Sequence, residues 1–126
     1  MIIIKNDNLR PFDVDGTLIL HLNKEDLIKY KTVKVWDAVS KSYLTFGVHE
    51  PMIRLLKEEF HRGNYIEVWS RGGWEWAKNV IIALDIQKYV HQVKTKPLVY
   101  FDDTPVKKWL KDRVFIDSNQ PYKGVK

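Results

Sequence analysis

Apolar and polar positions along this 126-residue chain fall into runs of two periods, one suited to strands and one to helices. Ile2-Ile3-Ile4 reads as a short strand, and a turn follows at Asn6-Asp7-Asn8. Residues 9–14 form the next extended piece, although Pro11 within it has no N–H to give a sheet ladder. Asn23-Lys24-Glu25-Asp26 reads as a solvated turn. Thr32-Val33-Lys34-Val35-Trp36 and Tyr43-Leu44-Thr45-Phe46 flank polar Ser40-Lys41-Ser42, which predicts a hairpin.

Pro51 then opens a helix that puts Ile53, Leu56, Lys57 and Phe60 on one side, with Leu55 beside them, and Gly63 ends it. Tyr65-Ile66-Glu67-Val68-Trp69 is a strand running into Ser70-Arg71-Gly72-Gly73. A second helix starts near Trp74 with Ala77, Val80, Ile81 and Leu84 as its apolar stripe. Residues 89–93 read as a short strand and 94–97 as a loop. Leu98-Val99-Tyr100-Phe101 reads as an apolar strand ending in Asp102-Asp103. Pro105 begins a third helix with Val106, Trp109 and Leu110 inward, Val114-Phe115-Ile116 is the last strand, and 121–126 is a frayed tail. Strands alternating with helices predict an α/β domain with a mainly parallel sheet covered on both faces. In such sheets ligands sit beyond the carboxyl ends of the strands, so the loops after residues 14, 69 and 101 are expected to open on one edge.

Length suits one domain over 1–126, and 44% apolar with 29% charged residues is ordinary for a globular chain. No run approaches the roughly 20 apolar residues of a membrane span. Met1-Ile2-Ile3-Ile4 with Lys5 behind it is too short for a secretory segment, and the chain has no cysteine. Both observations point to a cytoplasmic protein without disulfide or thiolate chemistry. His21, His49, His61 and His91 lack the spacing of a zinc site. The formal net charge of +5 favours a phosphorylated ligand or a polyanion, but the lysines are spread rather than massed, so nucleic acid is not required.

Chemistry concentrates at Phe12-Asp13-Val14-Asp15-Gly16-Thr17-Leu18-Ile19. Residues i and i+2 of an extended backbone share a side, so Asp13 and Asp15 converge if the strand runs as far as Asp15. Like charges that close favour a shared proton or a cation such as Mg2+. Gly16 permits a sharp turn and Thr17 can offer its hydroxyl to an anion. The alternative is an Asp-rich turn that merely ends a strand. Adding Asp102 and Asp103 gives a carboxylate cluster that a hard cation would stabilise, and such a cation draws in phosphate. Ser70, ahead of Gly72-Gly73 and a helix start, can present its hydroxyl to that anion. A lysine of the 94–96 loop would neutralise the phosphoryl oxygens. With no suitably placed histidine base, a carboxylate nucleophile that forms an aspartyl-phosphate is preferred to serine.

Asp13-Val14-Asp15-Gly16-Thr17, Val68-Trp69-Ser70, Lys96-Pro97 and Tyr100-Phe101-Asp102-Asp103, in that order, resemble the four motifs of the haloacid dehalogenase-like (HAD) superfamily. The resemblance covers about 9–116, and residues 69–77 are similar to those of small capless members found in phages and bacteria. It implies a HAD-like core, a three-layer Rossmann-like sandwich, with a hairpin or flap inserted over 20–48 and no room for a large cap. It also implies roles: Asp13 attacks phosphorus, and Asp15 protonates the leaving oxygen and then activates water. Asp13, Asp15 through its backbone carbonyl, Asp102 and Asp103 hold Mg2+. Thr17, Ser70 and Lys96 bind the phosphoryl group, with Lys94 as the rival to Lys96.

Three functions follow as expectations. The first is a Mg2+-dependent phosphomonoester hydrolase acting through an aspartyl-phosphate on a phosphorylated small molecule or nucleotide. The second is a nucleotide or polynucleotide-end phosphatase, in which Trp36, Tyr43, Arg71, Trp74 and Trp76 stack on a base or sugar. The third is a catalytically idle binding protein on the same fold. The competing role for those aromatics is to pack the hairpin onto the domain.

Overall fold

The computed structural model describes residues 3–5 and 7–110, except the side chain of Trp109. The expected strand at Val114-Phe115-Ile116, the 121–126 tail and Ile2 of the first expected strand lie outside those residues. The molecule is α/β, with a three-stranded parallel sheet and a separate three-stranded antiparallel sheet.

The parallel sheet contains β1 (Leu9–Phe12), β5 (Tyr65–Ser70) and β6 (Gln92–Thr95), with β5 in the middle. Leu9 lies opposite Tyr65 and Phe12 opposite Val68, while Glu67 lies opposite Gln92 and Ser70 opposite Thr95. Consecutive residues Ile66, Glu67 and Val68 of β5 are all buried, so both faces of that strand are covered. The antiparallel sheet, ordered β2-β4-β3, joins β2 (Ile19–Leu20), β3 (Thr32–Asp37) and β4 (Ser42–Val48). The expected hairpin is therefore present, with Val35 opposite Leu44, and the return of the chain after the carboxylate turn adds a third strand to it.

Two amphipathic helices cover the parallel sheet. α2 (Glu50–His61) starts with Pro51 in its first turn and buries Met52, Ile53 and Leu56. α3 (Trp74–Leu84) buries Ala77, Val80 and Ile81 and contacts β5, β6 and β3, tying the two sheets together. Their stripes meet Phe12, Val14, Leu18, Ile66 and Val68 in one core. Asn23-Lys24-Glu25-Asp26 is more than a turn: the Asn23 side chain accepts from the Asp26 N–H and caps the one-turn helix α1 (Lys24–Leu27). No helix among the described residues is long and apolar enough to cross a membrane.

Several expectations are corrected. Ile3 and Ile4 are exposed and form no strand. The Asn8 side chain instead bonds the Ile3 carbonyl and the Lys5 N–H, both at 2.7 Å, and folds this segment into a turn. Tyr89 belongs to a single 3-10 turn, α4 (Gln87–Tyr89), and the strand after it starts later and takes in Lys94 and Thr95. Leu98, Val99, Tyr100 and Phe101 are not a strand, and all four are exposed. Two constraints explain this. The short link from Thr95 cannot return a strand parallel to β6, which needs a dozen or more residues. The other open edge is that of β1, where the Asn8 carbonyl accepts from the Tyr65 N–H toward β5. Alternation in a parallel ladder then turns Pro11 outward, so a fourth strand there would meet a missing donor. Among the described residues no strand pairs with that side of β1, so the missing N–H of Pro11 breaks no ladder bond there. The third expected helix is the single turn α5 (Val106–Trp109), and Val106 and Leu110 are exposed rather than inward.

Leu56→Ala is expected to cost about 2–5 kcal/mol, since the residue is fully buried and its space cannot refill. Ile28→Ala, at an 85% exposed position, should stay within about 0.5 kcal/mol. Urea unfolding of both variants checks the pair, and equal losses would contradict the assignment of the core.

Candidate active site

β1 ends at Phe12, so Asp13 and Asp15 are not held by a continuous strand. A tight turn presents them instead. The Val14 carbonyl accepts the N–H groups of Thr17, Leu18 and Ile19 at 3.1, 2.9 and 3.3 Å, and the Gly16 N–H bonds the Ile19 carbonyl at 2.9 Å. Gly16 stands at φ +79, where a side chain would be strained. Phe12, Val14 and Leu18 are buried, and the two carboxylates between them remain 36% and 40% exposed at the side chain.

Asp15 is surrounded by donors. His21 Nε2 lies 2.8 Å from its Oδ1, and the Trp76 indole N–H donates to both oxygens at 3.3 Å. Ser70 Oγ donates to Oδ2 at a long 3.5 Å and accepts from the Gly72 N–H at 3.0 Å. A Cβ on Gly72 would sit 3.2 Å from Trp76 and 3.3 Å from Ser70 Oγ, so this glycine permits the close approach of the α3 start to the site. Asp13 faces Lys96, whose Nζ lies 3.9 Å from Oδ1 and 5.6 Å from the centre of the Trp69 ring. The Lys96 N–H bonds the Ser70 carbonyl at 2.8 Å, which fixes the lysine at the carboxyl end of β5.

The structure therefore gathers Asp13, Asp15, Ser70 and Lys96. Thr17 stands in the same turn, its carbonyl accepting from buried His49 Nδ1 at 2.8 Å. Lys94, the rival lysine, lies 3.5 Å from the buried Glu67 carboxylate and is engaged there. Asp102 and Asp103 stand apart from this group. Both are exposed, bonded to Thr104, and Asp103 is held below the ordinary carboxylate range by a hydrogen bond with Asp102 first and with Thr104 second. Among the described residues, no three His, Cys, Asp or Glu side chains meet as a metal site would require. The expected four-carboxylate centre is not what these residues build. A Mg2+ ion that keeps its waters and takes a substrate phosphate needs one or two carboxylates, and Asp13 with the backbone carbonyl of Asp15 would meet that smaller demand.

The contacts of His21 and Trp76 with Asp15 are what the sequence does not show, although Trp76 stands among the aromatics named for stacking or packing. The histidines lack zinc spacing, and His21 reaches Asp15 because the turn folds the chain back into β2. His21 also packs edge-to-face on Phe46, centroids 4.8 Å apart, and Phe46 on Trp76 at 5.7 Å. The aromatics divide between the two expected roles. Trp76 packs the antiparallel sheet onto α3, Trp36 and Tyr43 pair with each other at 5.1 Å, and Trp74 stays half exposed.

No family model, no curated protein and no solved structure matches the chain, so a functional reading rests on its own residues and geometry.

The two lysines are expected to separate by stability. Lys94→Met strands the buried Glu67 carboxylate and should cost about 1–3 kcal/mol. Lys96→Met removes only a half-exposed pair and should change stability by less than about 1 kcal/mol. Urea midpoints measure both, and a larger loss for Lys96→Met would contradict the pairing described.

Proposed function

We propose that this chain is a phosphomonoester hydrolase of the HAD type, with a Rossmann-like core, acting through a phosphoryl group carried on Asp13. The observation that carries the reading is the convergence of Asp13, Asp15, Ser70 and Lys96 at the carboxyl ends of β1, β5 and β6. That is where an α/β sheet holds its ligand, and the four groups supply a nucleophile, a proton carrier and two phosphoryl-binding groups.

An Asp13 carboxylate oxygen attacks phosphorus, the bond to the leaving oxygen breaks, and Asp15 gives that oxygen a proton. Water then attacks phosphorus as Asp15 takes one of its protons. The bond to Asp13 breaks and inorganic phosphate leaves. Lys96 and Ser70 hold the phosphoryl oxygens, Ser70 exchanging its 3.5 Å contact to Asp15 for one of them. Thr17 adds its hydroxyl from the same turn. The 2.8 Å pair of Asp15 Oδ1 and His21 Nε2 holds the proton that the leaving group takes, and the Trp76 N–H fixes the carboxylate's orientation. Mg2+ is the cofactor this chemistry calls for, and Asp13 would hold it together with the backbone carbonyl of Asp15, without Asp102 and Asp103, which do not join them in one cluster. When bound, it supplies positive charge at the phosphoryl oxygens.

Hydrolysis of an aryl phosphate, followed with Mg2+ and with EDTA, tests the proposal. Turnover is expected only with the metal. Asp13→Asn should reduce it to background and Asp15→Asn should lower it by about 10²–10⁴-fold. Turnover that survives Asp13→Asn contradicts the assigned nucleophile.

A further inference from the structure

Beside Asp15 lies a cleft of about 650 Å³, a size that holds a small-molecule ligand. One wall is the hairpin, through Val39, Leu44 and Phe46; the other is the first turn of α3, through Trp74, Glu75 and Trp76. Asp15 belongs both to this cleft and to the cluster with Ser70. A phosphoryl group held at Asp13 and Lys96 would therefore leave its ester oxygen facing Asp15 and the rest of the substrate in the cleft.

The lining is selective in charge and in hydrogen bonding. Asp15, Asp37 and Glu75 contribute carboxylates, and the residues that line the cleft include His21 but neither lysine nor arginine. Asp37 is firmly anionic, because the Ser40 hydroxyl and then the Val39 N–H hold it below the ordinary carboxylate range. Several donors of the lining are already engaged: the Trp76 indole N–H and His21 Nε2 at Asp15, an Asn79 amide N–H on the Trp36 carbonyl and the Trp74 backbone N–H on Thr95 Oγ1. Asp15 and Asp37 are engaged in turn, by His21, Trp76 and Ser70 and by Val39 and Ser40, so the exposed Glu75 carboxylate and the half-exposed Trp74 ring stand open toward a ligand in a lining of negative charge. Acceptors and negative charge suit hydroxyl or amino groups and repel a phosphate, which only accepts and is itself anionic. An indole face suits a ring.

We infer that this cleft takes the leaving group of the substrate as an uncharged or cationic ring bearing hydroxyl or amino donors, and that it turns away substrates carrying a second phosphate. The inference rests on the phosphatase reading for the position of the phosphoryl group. It narrows that reading to monophosphates of sugars or nucleosides, and it sets polynucleotide ends aside despite the net charge of +5, which is spread over the whole chain.

The test compares kcat/KM for acetyl phosphate, a hexose monophosphate, a nucleoside 5′-monophosphate, the matching 3′,5′-bisphosphate and a 3′-phosphorylated oligonucleotide. One of the two ring monophosphates should be preferred, and which one tells sugar from nucleoside. The bisphosphate and the oligonucleotide should be poorer than either. Trp74→Ala should lower the preference for the ring over acetyl phosphate by about tenfold, the loss expected for one stacked ring. Glu75→Lys should raise the bisphosphate relative to the monophosphate. Better turnover of the bisphosphate or oligonucleotide by the native protein overturns the inference, as does an unchanged preference in both variants. If no ester is turned over, the phosphatase reading fails by itself and tryptophan fluorescence decides the cleft. Quenching by adenosine or methyl glucoside in the native protein, lost in Trp74→Ala, upholds it; no quenching overturns it.

Discussion

Burying Val14 forces the carboxylates on either side of it outward. Its side chain is wholly enclosed, its carbonyl collects three N–H groups, and Phe12 and Leu18 are buried around it. Each apolar side chain hidden this way contributes about 1.5–3 kcal/mol. That comfortably outweighs holding two half-exposed carboxylates close together, where solvent screens their repulsion. The core thus fixes the site: Asp13 and Asp15 point where they do because their neighbours cannot. The same turn sends the chain back into β2, which carries His21 to Asp15 and starts the antiparallel sheet that walls the cleft.

The electrostatics divide into two regions. On one side Lys96, held over Trp69 and by the Ser70 carbonyl, faces Asp13. On the other, the cleft beyond Asp15 is lined by carboxylates and rings. A phosphomonoester has the same polarity, anionic at one end and hydroxyl-bearing at the other. Asp15 stands at the boundary, where the proposed hydrolysis would pass a proton to the leaving oxygen. Local charge governs this more than net charge does, because at physiological salt a Debye length of about 8 Å screens distant surface lysines.

The parts of the fold legible in the sequence were those with strong periodicity and clear punctuation. The apolar stripes of α2 and α3, the β-prone run of β5 and the polar turn of the hairpin all stand where their patterns put them. Illegible parts depended on what lay opposite. Leu98-Val99-Tyr100-Phe101 has the composition of a buried strand, but composition does not reveal that Pro11, without an N–H, faces the open side of β1. Of the candidate site, Asp13, Asp15 and Ser70 could be read from their positions after strands. Lys94 and Lys96 could not be told apart, because the buried partner of Lys94, Glu67, sits on another strand. His21 was invisible for a related reason. Its meeting with Asp15 comes from a backbone reversal, and no spacing rule for metal ligands describes it.

Acid quenching of the protein during turnover of a phosphomonoester, followed by mass spectrometry of its peptides, bears most directly on the role of Asp13. A phosphoryl group on the peptide that contains Asp13, absent from Asp13→Asn, is the expected result. Sustained turnover with no such adduct, or with the adduct on another residue, would contradict it.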